Sequence, residues 1–61
     1  MKYYRKGAEN DRYLAAFKRG VVAAQNSYHP SANPYPRRSI LFSKWREGFR
    51  STPQGKQYYY F

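Results

Sequence analysis

The chain has 61 residues, enough for one small domain whose core lies near the lower size limit of independent stability. It contains no cysteine and only one histidine, which excludes disulfides, cysteine-based metal sites and histidine clusters. Twelve lysines and arginines outnumber three acidic residues, so the net charge is +9. This charge predicts a polyanionic partner, and nucleic acid is favoured over an anionic membrane or an acidic protein.

The first ten residues, MKYYRKGAEN, are predicted to form an irregular basic and aromatic arm. Their charged start is not followed by the apolar segment of a signal peptide. Apolar runs such as 21–24 and 58–61 have four residues, far fewer than the roughly 20 that cross a membrane. These features predict a cytoplasmic protein that does not bind membranes.

The first helix is predicted over about residues 11–26. Asn10 or Asp11 can cap its start, because a short polar side chain accepts hydrogen bonds from unpaired first-turn N–H groups. Apolar residues at spacings of three and four then indicate one stripe that faces the core, formed by Leu14, Phe17, Val21 and Ala24.

Gly20 lies inside this helix, where glycine is about 1 kcal/mol less favourable than alanine. One interpretation is that the helix tolerates a poor residue. The other is that a second backbone or an aromatic ring packs too closely there for a side chain. Gly20 is counted among the predicted core positions.

A stiff connector follows, because Pro30, Pro34 and Pro36 remove backbone donors and favour extended conformations in the residues before them. The second helix is predicted over about residues 37–50. It starts near Arg37 or Arg38, with Ser39 as an alternative cap. It ends at the segment Ser51, Thr52 and Pro53.

The core stripe of the second helix is predicted to be Leu41, Trp45 and Phe49, which recur every four residues. Lys44 and Arg46 each lie about 100° around the helix from Trp45. We therefore expect the indole to face the first helix, over Gly20, and both cations to face a polyanion.

Residues 51–61 are predicted to form an irregular aromatic tail. Its last four residues, YYYF, need an apolar surface, either on the two-helix core or on a partner. The predicted fold is thus all-α and a single domain of residues 1–61, with an arm (1–10), a two-helix core (11–50) and a tail (51–61).

These residue types support catalysis poorly. Glu9 and Asp11 lie at a predicted helix start, and Glu47 is expected to pair with Arg50 or with a helix-facing cation. No nucleophile–base arrangement, metal-ligand cluster or glycine-rich phosphate loop is found. We predict no enzymatic activity, no cofactor, no metal and no small-molecule substrate.

Cations interleaved with aromatic rings are typical of proteins that bind single-stranded or looped RNA, because cations contact phosphates and rings stack on unpaired bases. Four tyrosines outside the helical stripes are candidates for stacking: Tyr3, Tyr4, Tyr28 and Tyr35. The residues predicted to bind RNA are Arg5, Lys6, Arg12, Lys18, Arg19, Tyr35, Arg37, Arg38, Lys44, Arg46 and Arg50.

Three short motifs, in order, resemble ribosome modulation factor, a family of small bacterial ribosome-hibernation proteins. They are Arg19-Gly20 followed by Ala23-Ala24, Pro34-Tyr35 in the connector, and Arg38-Ser39 leading to Trp45-Arg46-Glu47. The sequence departs from the family at Asn33, where cysteine is usual, and at Ala24 and Lys44, where glycine is expected. Its connector is shorter after Tyr35, and the YYYF tail is not a family feature.

The resemblance implies a divergent member that binds the small ribosomal subunit near the 3′ end of its rRNA, by the mRNA exit platform. Such binding would interfere with mRNA binding and favour inactive paired ribosomes. The implied function is that of a ribosome-associated translation silencer. Two alternatives remain. One is a phage-type inhibitor of an acidic host protein. The other is a DNA-binding module, although its second helix lacks the asparagine and glutamine that commonly read bases.

Overall fold

The computed structural model describes the backbone of residues 2–59 and the side chains of residues 11–58. Within this part the regular structure is helical, without strands. In chain order it comprises α1 (Lys2–Gln25), a 3₁₀ turn (Pro30–Ala32), α2 (Ile40–Arg50), α3 (Pro53–Lys56) and a second 3₁₀ turn (Gln57–Tyr59). The predicted all-α fold, with two helices joined by a proline-rich connector, is confirmed.

The start of α1 differs from its prediction. The helix begins at Lys2, so its backbone includes residues 2–10, the segment predicted as an arm. Most of this segment consists of residues with good helix propensity, and no proline interrupts it. Asn10 and Asp11 therefore lie inside the helix and do not cap it.

α2 begins at Ile40 and not at residue 37, because Ser39 is its cap. The Ser39 hydroxyl accepts the N–H of Phe42 at 3.1 Å and donates to the carbonyl oxygen of Pro36 at 2.7 Å. Arg37 therefore lies in a turn before the helix. The predicted end is confirmed, with Ser51 as the residue that follows α2.

α1 ends in a turn that starts the connector. The N–H of Ser27 donates to the carbonyl oxygen of Ala24, and that of Tyr28 to the carbonyl oxygen of Ala23, both at 2.9 Å. These are the two bonds of a Schellman motif, which usually has glycine at its left-handed position. Ser27 occupies that position with a φ of 64°, so a serine carries the strain that glycine would avoid.

The two long helices cross at glycines. A Cβ atom on Gly20 would lie 2.8 Å from the backbone nitrogen of Phe49 and still closer to the carbonyl oxygen of Trp45. A Cβ atom on Gly48 would collide with the carbonyl group of Phe17. Of the two interpretations of Gly20, close packing of a second backbone is the correct one.

The buried stripe of α1 is consequently made of small residues: Ala16, Gly20, Ala23 and Ala24. Leu14 is 52% exposed, so its prediction as a core residue is wrong. Phe17 and Val21 are half-buried on the flanks of the crossing. Large side chains are excluded from the contact because they would hold the two backbones apart.

The rest of the core is aromatic. Trp45 and Phe49 are buried as predicted, and their rings stack with centroids 5.0 Å apart. Leu41, the third residue of the predicted stripe, is half-buried. The indole thus faces the core, while the group of Trp45 that meets Gly20 is the backbone carbonyl.

The segment after α2 is ordered on the core, and not irregular as predicted. The Thr52 hydroxyl accepts the N–H of Gly55 and donates to the carbonyl oxygen of Phe49, each at 2.9 Å. The Tyr58 ring packs 5.8 Å from the Phe49 ring and edge-on to His29 at 5.3 Å, between centroids. The side chains of residues 59–61 lie outside the described part.

Candidate nucleic-acid interface

Asn33 and Tyr35 fasten the connector to both long helices. The Asn33 side chain donates from Nδ2 to the carbonyl oxygen of Phe42, and its Oδ1 accepts the N–H of Tyr35, both at 3.1 Å. The Tyr35 hydroxyl accepts a hydrogen bond from the Arg19 guanidinium at 3.0 Å, while the Tyr35 ring packs on the aromatic core. The connector is thereby held as a defined surface.

Alternate residues of this connector line two different grooves. The first, the tryptophan groove, has a volume of about 430 Å³ and is lined by Lys18, Arg19, Val22, Ala23, Asn26, Tyr28, Ala32, Pro34 and Trp45. The second, the arginine groove, has a volume of about 590 Å³ and is lined by Pro30, Ser31, Asn33, Tyr35, Arg37, Phe42 and Arg46. The hydrogen bond between Arg19 and Tyr35 joins the two linings.

Cations line both grooves, and neither lining contains a carboxylate. Lys18 and Arg19 contribute to the tryptophan groove, Arg37 and Arg46 to the arginine groove, and all four are exposed. The guanidinium of Arg46 lies 5.9 Å from the centre of the Phe42 ring, within the range of a cation–π contact. We call the surface formed by both grooves the connector side.

A third groove has a different character. The Glu47 groove, of about 310 Å³, is lined by Tyr13, Leu14, Phe17, Lys44 and Glu47. Lys44 pairs with Glu47 at 3.9 Å between Nζ and Oε1, and its Nζ lies 5.9 Å from the centre of the Tyr13 ring. Glu47 therefore pairs with a cation of its own helix, one of the two arrangements expected.

α2 separates the two cations that flank Trp45. Lys44 and Arg46 are two positions apart, about 200° around a helix, and they line different grooves. The expectation that both face one polyanion is not met by this geometry. Only Arg46 belongs to the connector side, and Lys44, predicted to bind RNA, lies outside it.

Arg12, Arg38 and Arg50 are exposed outside the two grooves. Arg12 lies seven residues before Arg19 and so on nearly the same side of α1, where it lines a small groove with Ile40 and Leu41. Arg38 precedes α2 and Arg50 ends it. They can extend a basic surface beyond the connector side.

Two pairs of predicted residues lie outside the described side chains, although their backbone belongs to α1. They are the expected RNA contacts Arg5 and Lys6 and the expected stacking residues Tyr3 and Tyr4. The other two stacking candidates differ in exposure. Tyr28 is 56% exposed, whereas Tyr35 is half-buried.

Three residues that shape this surface were not predicted from the sequence. Asn33 fastens the connector, Phe42 lies under Arg46, and Asn26 lines the tryptophan groove. A signal existed for Asn33, because an asparagine before a proline commonly starts a turn through its side chain. The roles of Asn26 and Phe42 depend on the path of the connector, which short sequence patterns do not specify.

Among the described residues, no group of three or more His, Cys, Asp or Glu side chains could hold a metal ion. No described helix combines the length and the apolar character that membrane crossing requires. Comparisons with protein-family models, with curated proteins and with solved structures give no match. The motif resemblance and the geometry of the connector side are therefore what bear on function.

Proposed function

We propose that the protein binds RNA through its connector side. The observation that carries this proposal is the lining of two linked grooves by four exposed cations without a carboxylate. Phosphates of a single strand or a loop would lie along these cations. The exposed ring of Tyr28 offers an unpaired base a stacking surface, which RNA loops and ends can use.

We further propose that the RNA belongs to the small ribosomal subunit, near the 3′ end of its rRNA, and that binding there silences translation. The support is the resemblance to ribosome modulation factor, together with contacts among the residues of its motifs. Gly20 packs on the Trp45 backbone, Arg19 donates to Tyr35, and Ser39 caps the helix that carries Trp45. The motif residues thus depend on one another structurally.

Sedimentation of the tagged protein with ribosomes in a sucrose gradient tests the ribosomal target. We expect the protein in the fractions of small subunits or paired ribosomes. The double variant Arg37→Ala/Arg46→Ala should move towards the top of the gradient. Its matched control, Lys44→Ala/Lys56→Ala, removes the same charge outside the connector side and should stay with ribosomes. If the unmodified protein remains at the top, the ribosomal target is rejected.

Two further measurements separate RNA from the alternative partners. A complex with RNA should dissociate after ribonuclease treatment, whereas a complex with an acidic host protein would survive it. Unlabelled single-stranded RNA should compete for binding more effectively than duplex DNA of equal length. The reverse order would favour a DNA-binding module with α2 in the major groove.

The salt dependence of binding tests the role of the charge itself. If five or six cations neutralise phosphates of unpaired RNA, a plot of the logarithm of the association constant K against log salt should have a slope of about −4. A slope close to zero would mean that the net charge does not contribute to recognition.

A further inference from the structure

We infer that the tryptophan groove binds one unpaired adenine of the RNA. This inference rests on the proposed RNA-binding function and identifies the nucleotide that gives the connector side its base contact. The groove combines an apolar surface, an exposed aromatic ring, one side-chain amide and two cations. Each of these matches a different part of a nucleotide.

The shape and polarity of the groove suit a base. Its volume of about 430 Å³ falls within the range of roughly 300–1,000 Å³ typical of small-ligand sites. Ala23 and Trp45 are buried and form an apolar base to the groove, and Pro34 of the connector adds further apolar surface. The Tyr28 ring, 56% exposed, can stack on a flat heterocycle.

Asn26 supplies the polar group that distinguishes one base from another. It is the one side-chain amide in the lining of this groove. An asparagine amide can donate to N7 and accept from the N6 amino group of adenine, both of which are accessible in an unpaired base. The backbone at Asn26 is held by the end of α1, where its N–H donates to the carbonyl oxygen of Val22 at 3.0 Å.

The charges favour a nucleotide over an apolar peptide or a neutral ligand. Lys18 and Arg19 line the groove, and no carboxylate lines it. The Arg19 guanidinium is oriented by its hydrogen bond to Tyr35, and a guanidinium has further N–H donors that can contact a phosphate. A nucleotide suits this groove, because it presents an anionic phosphate next to a flat base.

Two oligoribonucleotide probes isolate the contribution of the base. One consists of abasic ribose phosphates throughout, and the other carries a single adenine at its centre. For the unmodified protein we expect the adenine to increase affinity by about 5- to 150-fold, the range that stacking and hydrogen bonding of one base provide. A central uracil should give a smaller gain, and Asn26→Ala should reduce the difference between adenine and uracil.

Ala32→Phe fills the groove from the connector without changing the net charge. It should abolish the gain from adenine and leave the salt slope and the affinity for the abasic probe unchanged. Ala15→Phe is the matched control, because Ala15 is an exposed alanine that lines none of the three grooves, and it should keep the gain. If Ala32→Phe lowers helical circular dichroism, Val22→Trp fills the groove from an exposed position on α1.

The outcomes distinguish this inference from the proposed function. If adenine adds no affinity while the abasic probe binds with a steep salt slope, RNA binding stands and the adenine site is wrong. The site is also wrong if Ala15→Phe loses the gain as completely as Ala32→Phe, or if uracil binds as tightly as adenine. If no RNA binds at all, the proposed function fails and the adenine site fails with it.

Discussion

The connector side and the Glu47 groove carry the same types of residue in different arrangements. Both have cations and aromatic rings, and both border α2. In the Glu47 groove the one cation, Lys44, lies 3.9 Å from a carboxylate of its own helix. On the connector side four cations line two grooves without a carboxylate, and hydrogen bonds of Asn33 and Tyr35 hold the segment between them.

This difference shows that the net charge of the chain does not describe its surface. A charge of +9 could be spread evenly around a small domain, yet two of the described grooves hold cations without a carboxylate, whereas in the Glu47 groove the cation is paired. The connector contributes residues to both of these grooves and none to the Glu47 groove. Four sets of substitutions test this difference.

The largest effect is expected for Trp45→Ala, which should disrupt the connector side and the Glu47 groove together. Trp45 is 2% exposed and stacks on Phe49, so its removal should destabilise the fold by about 3–5 kcal/mol. Thermal melts followed by circular dichroism measure this. Tyr28→Ala removes an exposed ring and should change stability by less than about 0.5 kcal/mol. A normal melt for Trp45→Ala combined with loss of RNA binding would mean that the indole is a stacking platform.

A smaller effect of unusual sign is expected for Gly20→Ala and Gly48→Ala. Inside a helix this substitution normally stabilises by about 1 kcal/mol. Here the added Cβ would collide with the backbone of the other helix, so each variant should instead lose about 1–3 kcal/mol. Stabilisation in denaturant melts would mean that the helices do not cross as closely as described.

Arg46→Ala and Lys44→Ala compare the two sides directly, because both remove one charge next to Trp45. Arg46→Ala should lower the slope of log K against log salt by about 0.7 in magnitude and weaken RNA binding about five-fold at roughly 0.1 M salt. Lys44→Ala should change affinity less than about two-fold, since its partner is Glu47. Fluorescence anisotropy with labelled single-stranded RNA measures both. Equal losses would contradict the assignment of RNA to the connector side.

The smallest effect is expected for Ser27→Gly, at the turn that starts the connector. Glycine removes the left-handed strain at φ 64° but increases the entropy of the unfolded chain, which leaves a net gain of about 0.5–1 kcal/mol. Denaturant melts measure this gain, and RNA affinity should stay unchanged. Ser51→Gly is the comparison, because Ser51 has an ordinary helical φ of −77° and gains nothing from glycine.

Local sequence patterns specified the helical class, the connector and the buried aromatic pair. Periodic apolar residues predicted both long helices, three prolines predicted the break between them, and Ser39 was recognised as a cap. The four-residue spacing of Trp45 and Phe49 predicted that both lie in the core, and both are buried. These features are local, so short-range patterns specify them.

Helix packing, in contrast, selected which face of α1 is buried and which cations share a surface. Leu14 and Phe17 formed the more hydrophobic stripe, yet the crossing selected Ala16, Gly20 and Ala23, because two backbones in contact leave room only for small residues. The same crossing, together with the path of the connector, placed Lys44 and Arg46 in different grooves. Residues far apart in sequence meet in these grooves. Gly20 indicated a close approach, but no local pattern specifies which residues that approach brings together.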